Sequence, residues 1–107
     1  MQLTLLHGYP DFVGKRATFV GWGKGPAAYN ATTGDVVSLP QRSYYIDALA
    51  GGVQSVSGNY FVRSRPSGTG PRQPWALFWY AAAGTPVADG VDLAAEEIQI
   101  GGFCGQF

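Results

Sequence analysis

The stretch "WALFWYAA" (75–82) decides the fold class, because it is apolar on both faces of a β-strand. Side chains alternate between the two faces of a strand, which gives two apolar sets: Trp75, Leu77 and Trp79 on one face, and Ala76, Phe78 and Tyr80 on the other. A strand that is apolar on both faces is covered on both. The stretch therefore predicts a central strand with one face in the core. The other face lies under loops of the same chain or against a partner.

The segment just before this strand predicts its antiparallel neighbour. Residues 59–65, "NYFVRSR", alternate so that Phe61, Arg63 and Arg65 share one face. The loop 66–74, "PSGTGPRQP", joins the two strands into a hairpin. A phosphate-binding loop does not fit, because the segment has no Lys-Ser/Thr pair, leads into a strand instead of a helix, and contains prolines that lack a backbone donor.

Charge is segregated around this hairpin. Residues 48–88 contain Arg63, Arg65 and Arg72 but no acidic residue, whereas residues 89–97 contain four acidic residues and no basic one. Such segregation can join copies of a chain head to tail. The prolines stiffen the loop, and a stiff loop loses less entropy on docking. The hairpin end is therefore predicted to be a basic projection that contacts a partner protein.

Short strands are predicted along the rest of the chain, because 16 Gly and 7 Pro among 107 residues leave few stretches of helical length. The predicted strands are residues 2–6, 16–22, 53–56 and 98–107, with a further hairpin over 28–39 that turns at Gly34. Residues 41–50 fit either a strand or a short helix, and residues 91–97 fit either an extended piece or one helical turn. About seven or eight short strands predict a single all-β domain over residues 1–107, a β-sandwich or a β-barrel.

The overall charge and the cysteine content exclude several classes of protein. Seven basic and seven acidic residues cancel, so the chain lacks the field that attracts nucleic acid or an anionic membrane. No stretch approaches the roughly 20 apolar residues of a membrane helix. Cys104 is the single cysteine, so no disulfide forms within the chain. The start, "MQLTLLHGYPD", lacks the features of a signal peptide, and predicts a product made in the cytoplasm.

Residues that carry catalysis are sparse. His7 and Cys104 are the single histidine and cysteine, too few for a transition-metal site. Cys104 lies in a predicted strand, where a buried structural thiol is commoner than a nucleophile paired with His7. The acidic residues have neither the context of a glycosidase pair nor the spacing of an EF-hand. The sequence therefore predicts that the protein is not an enzyme and binds no cofactor and no metal.

Three segments resemble small virion proteins of tailed bacteriophages: "YNATTGDVVSLP" (29–40), "GNYFVRSRPSGTG" (58–70) and "VADGVDLAAEEIQIGGF" (87–103). The class with the greatest similarity is the capsid decoration, or cement, protein. The resemblance assigns no functional residue. It implies a non-enzymatic structural protein that binds the major capsid protein on the outer head surface and stabilises contacts between capsid subunits. It also implies a homo-oligomer, often a trimer, located in the virion, with no direct contact to nucleic acid and none to a membrane.

The predicted partner interface takes its residues from the hairpin and its double-sided strand: Arg63, Arg65, Arg72, Trp75, Phe78 and Tyr80. The alternative function is a carbohydrate-binding β-sandwich module on a tail or cell surface. Its sugar-stacking side chains would come from the aromatic residues Trp22, Trp75, Trp79, Tyr44 and Tyr45. For each of these taken singly, a core position is the simpler interpretation.

Overall fold

The structure is a computed structural model that describes residues 1–6, 11–13, 16–40, 44–67 and 73–106. These residues contain strands and no helix, which confirms the predicted all-β class. Nine strands are present in these ranges, against about seven or eight predicted. They are β1 (Thr4–Leu5), β2 (Asp11–Val13), β3 (Arg16–Lys24), β4 (Asp35–Val37), β5 (Tyr44–Leu49), β6 (Gly52–Gln54), β7 (Tyr60–Pro66), β8 (Trp75–Ala81) and β9 (Glu97–Gln106).

The strands form two antiparallel sheets. The first, the β3 sheet, has the order β1-β3-β9-β5, and β2 also pairs with β3. The second, the β8 sheet, has the order β4-β8-β7-β6. Strand β8 lies between β4 and β7, which confirms the central position predicted for "WALFWYAA". The parallel bridge between Gln2 and Ser38 links the two sheets along one side.

The core is one cluster that takes buried side chains from both sheets. The β8 sheet contributes Leu77 and Trp79, and the β3 sheet contributes Phe19, Ile98 and Ile100. On the opposite face of β8, Ala76 and Phe78 are also buried. Strand β8 is therefore covered on both sides, as its sequence predicted.

The hairpin predicted over residues 28–39 is wrong, because residues 28–30 do not form a strand. Strand β4 pairs instead with β8, in the register Val36↔Ala76. Tyr29 is buried, and its hydroxyl accepts a hydrogen bond from the backbone N–H of Trp79 at 3.0 Å. The hydroxyl of Tyr29 thus pairs with the backbone donor of β8 just beyond Asp35, the residue at which β4 begins. The turn at Gly34 is confirmed, since its φ of 73° lies in the left-handed region.

The two segments of ambiguous pattern have different outcomes. Residues 44–49 form strand β5, and the first three residues of the segment 41–50 lie outside the described residues. Residues 91–96 form neither a strand nor a helix, and β9 begins at Glu97. Strand β9 then continues through Gly101 and Gly102, so the Gly-Gly pair does not interrupt it.

A buried polar group holds β4 against the N-terminal residues. Asp35 is buried, and its Oδ1 accepts a hydrogen bond from the α-ammonium of Met1 at 2.7 Å. Its Oδ2 accepts one from the indole N–H of Trp79 at 3.3 Å. Both carboxylate oxygens therefore have a donor, which a buried charge requires.

Candidate functional site: two exposed sheet faces

The outer face of the β8 sheet carries arginines over aromatic rings. We call this set the arginine face: Phe61, Arg63 and Arg65 on β7, and Phe78 and Tyr80 on β8. The register pairs Phe61 with Tyr80 and Arg63 with Phe78. Both arginines are exposed, and Phe78 beneath them is buried. The two strands therefore expose the guanidinium groups to solvent above a layer of aromatic rings.

The aromatic rings fix the position of each guanidinium group. The ring of Phe61 stacks on that of Tyr80, with centroids 5.2 Å apart and planes 11° from parallel. The guanidinium carbon of Arg63 lies 5.7 Å and 5.5 Å from these two centroids. The guanidinium carbon of Arg65 lies 3.7 Å from the centroid of Phe78, which is van der Waals contact. Cation–π attraction favours this arrangement and leaves the N–H edges of the guanidinium free to bind a ligand.

Two shallow clefts flank Arg65 on this face. One, of about 250 Å³, is lined by Arg63, Arg65, Phe78 and Tyr80 together with Gly51 and Ser64. The other, of about 370 Å³, extends past Phe78 to the residues Thr32, Thr33, Val36, Pro66 and Ser67. Arg65 and Phe78 line both clefts, so the two form one groove across the sheet. Neither arginine has an ion pair with a carboxylate of the residues that the structure describes.

The residues predicted as a partner interface do not all lie together. Arg63, Arg65, Phe78 and Tyr80 share the arginine face. Trp75 lies on the opposite face of β8, half-buried against the core, and Arg72 lies outside the described residues. Among the aromatic residues proposed for sugar stacking, Trp79 is a core residue with 1% of its surface exposed, while Tyr44 and Tyr45 are half-buried on β5.

Sequence reasoning missed a second exposed face, on the β3 sheet. We call it the apolar patch, and it consists of Leu6, Val20, Trp22 and Phe103. Their exposed fractions are 63%, 55%, 38% and 51%, respectively. Val20 and Trp22 share one face of β3, and the N–H of Leu6 donates to the carbonyl of Val20 at 2.9 Å. Phe103 pairs with Thr18 and is therefore the diagonal neighbour of Val20.

The residues of β1 and β9 that pair with Trp22 and Val20 are uncharged. Thr4 and Gln99 pair with Trp22 from the two neighbouring strands, and Gly101 lies opposite Val20. Glycine has no side chain to shield Val20 from solvent. Contiguous apolar patches of this kind are uncommon on monomeric proteins and mark interaction sites. The signal in the sequence was the shared face of Val20 and Trp22, but both faces of β3 are apolar, so alternation alone could not identify the exposed one.

The remaining reactive groups are buried or outside the described residues. Burial raises the pKa of the Cys104 thiol, which is fully buried on β9. A thiol held neutral in this way is a poor nucleophile, and His7 lies outside the described residues. Burial also raises the pKa of the Tyr29 hydroxyl. No group of three or more metal-ligating side chains occurs within the described part of the chain.

Comparisons with known proteins add no relative. No protein-family model matches the chain, and neither the curated proteins nor the solved structures contain a significant match. Across the described ranges, no helix is long and apolar enough to span a membrane.

Proposed function

We propose that this protein is a non-enzymatic structural protein of a bacteriophage virion, a capsid decoration protein. It binds the outer surface of the head through the apolar patch and stabilises contacts between major capsid subunits. The observation that carries this proposal is the row of exposed apolar side chains on the β3 sheet, from Leu6 through Val20 to Phe103. The phage virion itself rests on the resemblance of the three sequence segments to virion proteins.

The shape and chemistry of the apolar patch support a protein partner. A sheet face is broad and offers no enclosed pocket, so it suits another protein surface better than a small molecule. The cross-strand neighbours Thr4, Thr18 and Gln99 are uncharged. Charged residues come at the two ends of the patch, where Lys24 pairs with Glu97 and where Asp11 pairs with Thr18. An apolar centre with charged residues at its edge is the composition of a protein–protein interface. Binding through this patch is therefore expected to depend little on salt.

The experiment is co-sedimentation of the purified chain with expanded capsids that lack it, using a matched pair of variants. Val20→Thr replaces one methyl group by a hydroxyl within the patch. Val56→Thr makes the same change at a valine that is 64% exposed in the loop between β6 and β7. Burying an unpaired hydroxyl costs about 1–2 kcal/mol, so Val20→Thr should weaken capsid binding by about five- to thirty-fold. Val56→Thr should leave the affinity unchanged.

Both variants should fold as the parent chain does, because substitutions of exposed residues change stability by about 0.5 kcal/mol or less and threonine is favoured in strands. Equal capsid affinity for Val20→Thr and the parent chain would contradict binding through the apolar patch. Absence of the parent chain from the capsid pellet at every concentration would contradict the decoration function itself.

A second function, carbohydrate binding, is favoured by the surroundings of Trp22. This ring is partly exposed and lies in one cross-strand row with Thr4 and Gln99, whose polar groups could bind sugar hydroxyls. Stacking of an aromatic ring on a sugar, with polar groups beside it, is how such modules bind. The test is titration with a glycan panel, monitored by tryptophan fluorescence in the parent chain and in Trp22→Phe. A saturable change that Trp22→Phe abolishes would support this second function over capsid binding.

A further inference from the structure

We propose that the arginine face binds the acidic segment of a second copy of this chain, residues 89–97. The chain carries both halves of this interaction, on different surfaces. The proposal does not rest on the decoration function, because self-association is measured without capsids.

The two arginines are held in position but are not neutralised. Arg65 is in contact with Phe78, and Arg63 lies over Phe61 and Tyr80. No carboxylate of the described residues forms an ion pair with either arginine. Side chains already fixed in place lose less entropy when they bind. Two such guanidinium groups, exposed beside an open groove, form a site for an anionic ligand.

The chemistry of the face favours carboxylates as that ligand. Guanidinium groups bind carboxylates through two parallel hydrogen bonds. Arg63 and Arg65 are two residues apart on one strand, so their Cα atoms are about 6–7 Å apart. This spacing suits two separate carboxylates along a peptide better than the oxygens of one phosphate. The aromatic rings are covered by the guanidinium groups, so they are not free to stack on nucleic-acid bases.

The acidic segment supplies carboxylates without leaving its own chain. Asp89 and Asp92 are exposed, and in each one carboxylate oxygen caps a backbone N–H, of Ala31 and of Ala94, respectively. One oxygen of Glu96 accepts a hydrogen bond from the hydroxyl of Ser57 at 2.6 Å. These contacts hold the three side chains in place and use only one oxygen of each. The second oxygen of each carboxylate has no hydrogen bond to a described residue, so it is available to a guanidinium of another copy.

The two surfaces differ, so the association is heterologous. A heterologous contact forms a ring if its rotation closes and an open chain if it does not. The neutral overall charge of the chain removes a barrier to such contacts. The segregated charges identified in the sequence then act between molecules.

The experiment is sedimentation velocity of the whole chain over a range of protein concentrations, at about 50 mM and about 500 mM salt, where ion pairs are screened to different extents. Arg65→Glu is compared with the double variant Gln2→Glu/Thr4→Glu, the same change of net charge at two exposed residues that lie in neither proposed surface. The parent chain and Gln2→Glu/Thr4→Glu should self-associate at low salt and dissociate at high salt. Arg65→Glu should associate at least about tenfold more weakly at low salt.

A charge exchange makes the test specific. The double variant Asp92→Lys/Glu96→Lys should be as weakly associated alone as Arg65→Glu. Mixing these two variants should restore association, because the unchanged arginine face of one then meets the unchanged acidic segment of the other, and the two changed surfaces also carry opposite charges. Far-UV circular dichroism checks that every variant retains the strand spectrum. Arg65→Lys keeps the positive charge but loses the planar guanidinium group, so its self-association should be intermediate in strength between that of the parent chain and that of Arg65→Glu.

Three results would overturn the proposal. One is a parent chain that stays monomeric at low salt at every concentration. Another is self-association that Gln2→Glu/Thr4→Glu weakens as much as Arg65→Glu, since net charge and not the face would then be responsible. The third is self-association unchanged in Arg65→Glu while binding to capsids, to an acidic glycan or to single-stranded DNA is lost, since the face would then serve a different partner.

Discussion

Replacement of Trp79 tests the core most sharply, because this one side chain joins three parts of the molecule. It is 1% exposed, and its ring meets that of Tyr60 edge to face, with centroids 6.2 Å apart. Its indole N–H donates to Asp35, and its backbone N–H donates to the hydroxyl of Tyr29. Trp79→Ala removes the ring and the indole donor but leaves the backbone donor in place.

The expected magnitude follows from these contacts. Truncation of a buried tryptophan to alanine costs about 3–5 kcal/mol, which includes the cavity left behind. The buried carboxylate of Asp35 also loses one of its two donors, a change worth about 1–3 kcal/mol. Trp79→Ala is therefore expected near the upper end of the range, about 4–5 kcal/mol. Trp79→Phe fills most of the same space but also removes the indole N–H, so it should cost about 1–3 kcal/mol.

The assay is equilibrium unfolding in urea, followed by far-UV circular dichroism so that the signal does not depend on tryptophan. A small domain has a total stability of about 5–15 kcal/mol, so Trp79→Ala is expected to be near the limit of folding and Trp79→Phe provides the measurable variant. The control is Trp22→Phe in the apolar patch, expected within about 0.5 kcal/mol of the parent chain. An unchanged denaturation midpoint for Trp79→Phe, or equal losses for Trp79→Phe and Trp22→Phe, would refute the packing described for β8.

Two further predictions concern β9 and the buried titratable groups. Gly102→Ala should destabilise the domain by more than about 2 kcal/mol in urea unfolding. The new Cβ would overlap the carbonyl oxygen of Ala48 on β5, which is a backbone atom and cannot rotate away. An unchanged denaturation midpoint would show that β5 does not pack against Gly102. The free energy of unfolding should also fall as the pH rises above about 9: burial raises the pKa of Cys104 from its ordinary 9.0 and that of Tyr29 from 10.0, so the folded state resists the loss of both protons. Stability that stays flat or rises from pH 9 to pH 11 would contradict this.

The local elements were predictable because alternation and turn residues act over a few positions. The double-sided pattern of 75–82 gave β8 its central place, and the face shared by Phe61, Arg63 and Arg65 is the face observed. The positive φ of Gly34 was likewise predictable from its turn. These features depend on the alternation of side chains along one strand or on the conformation of one turn, and not on which strand lies beside it.

The pairing between distant strands was not predictable in the same way. Strand β4 pairs with β8 instead of with the residues just before it, and Tyr29, which lies in those residues, is buried against Trp79. The last strand, β9, lies between β3 and β5, far away in sequence. Such choices are decided by which apolar faces can be buried together, and local propensity carries no information on that.

The two candidate binding faces also differ in how much of each could be predicted from the sequence. The arginines and the aromatic residues of the arginine face were identified from the sequence, but the stacking of Arg65 on Phe78 depends on the register of β7 against β8. The apolar patch was missed because Phe103 and Val20 become neighbours only when β9 pairs with β3.

The central claim is that the β3 sheet faces a capsid surface through the apolar patch. Its most direct test is cryo-electron microscopy of expanded capsids incubated with the purified chain, compared with the same capsids alone. We expect additional ordered density on the outer shell, with the β3 sheet and Val20 against the major capsid protein and the arginine face directed away from the shell. Capsids without additional density, or density in which the β8 sheet faces the shell, would contradict it.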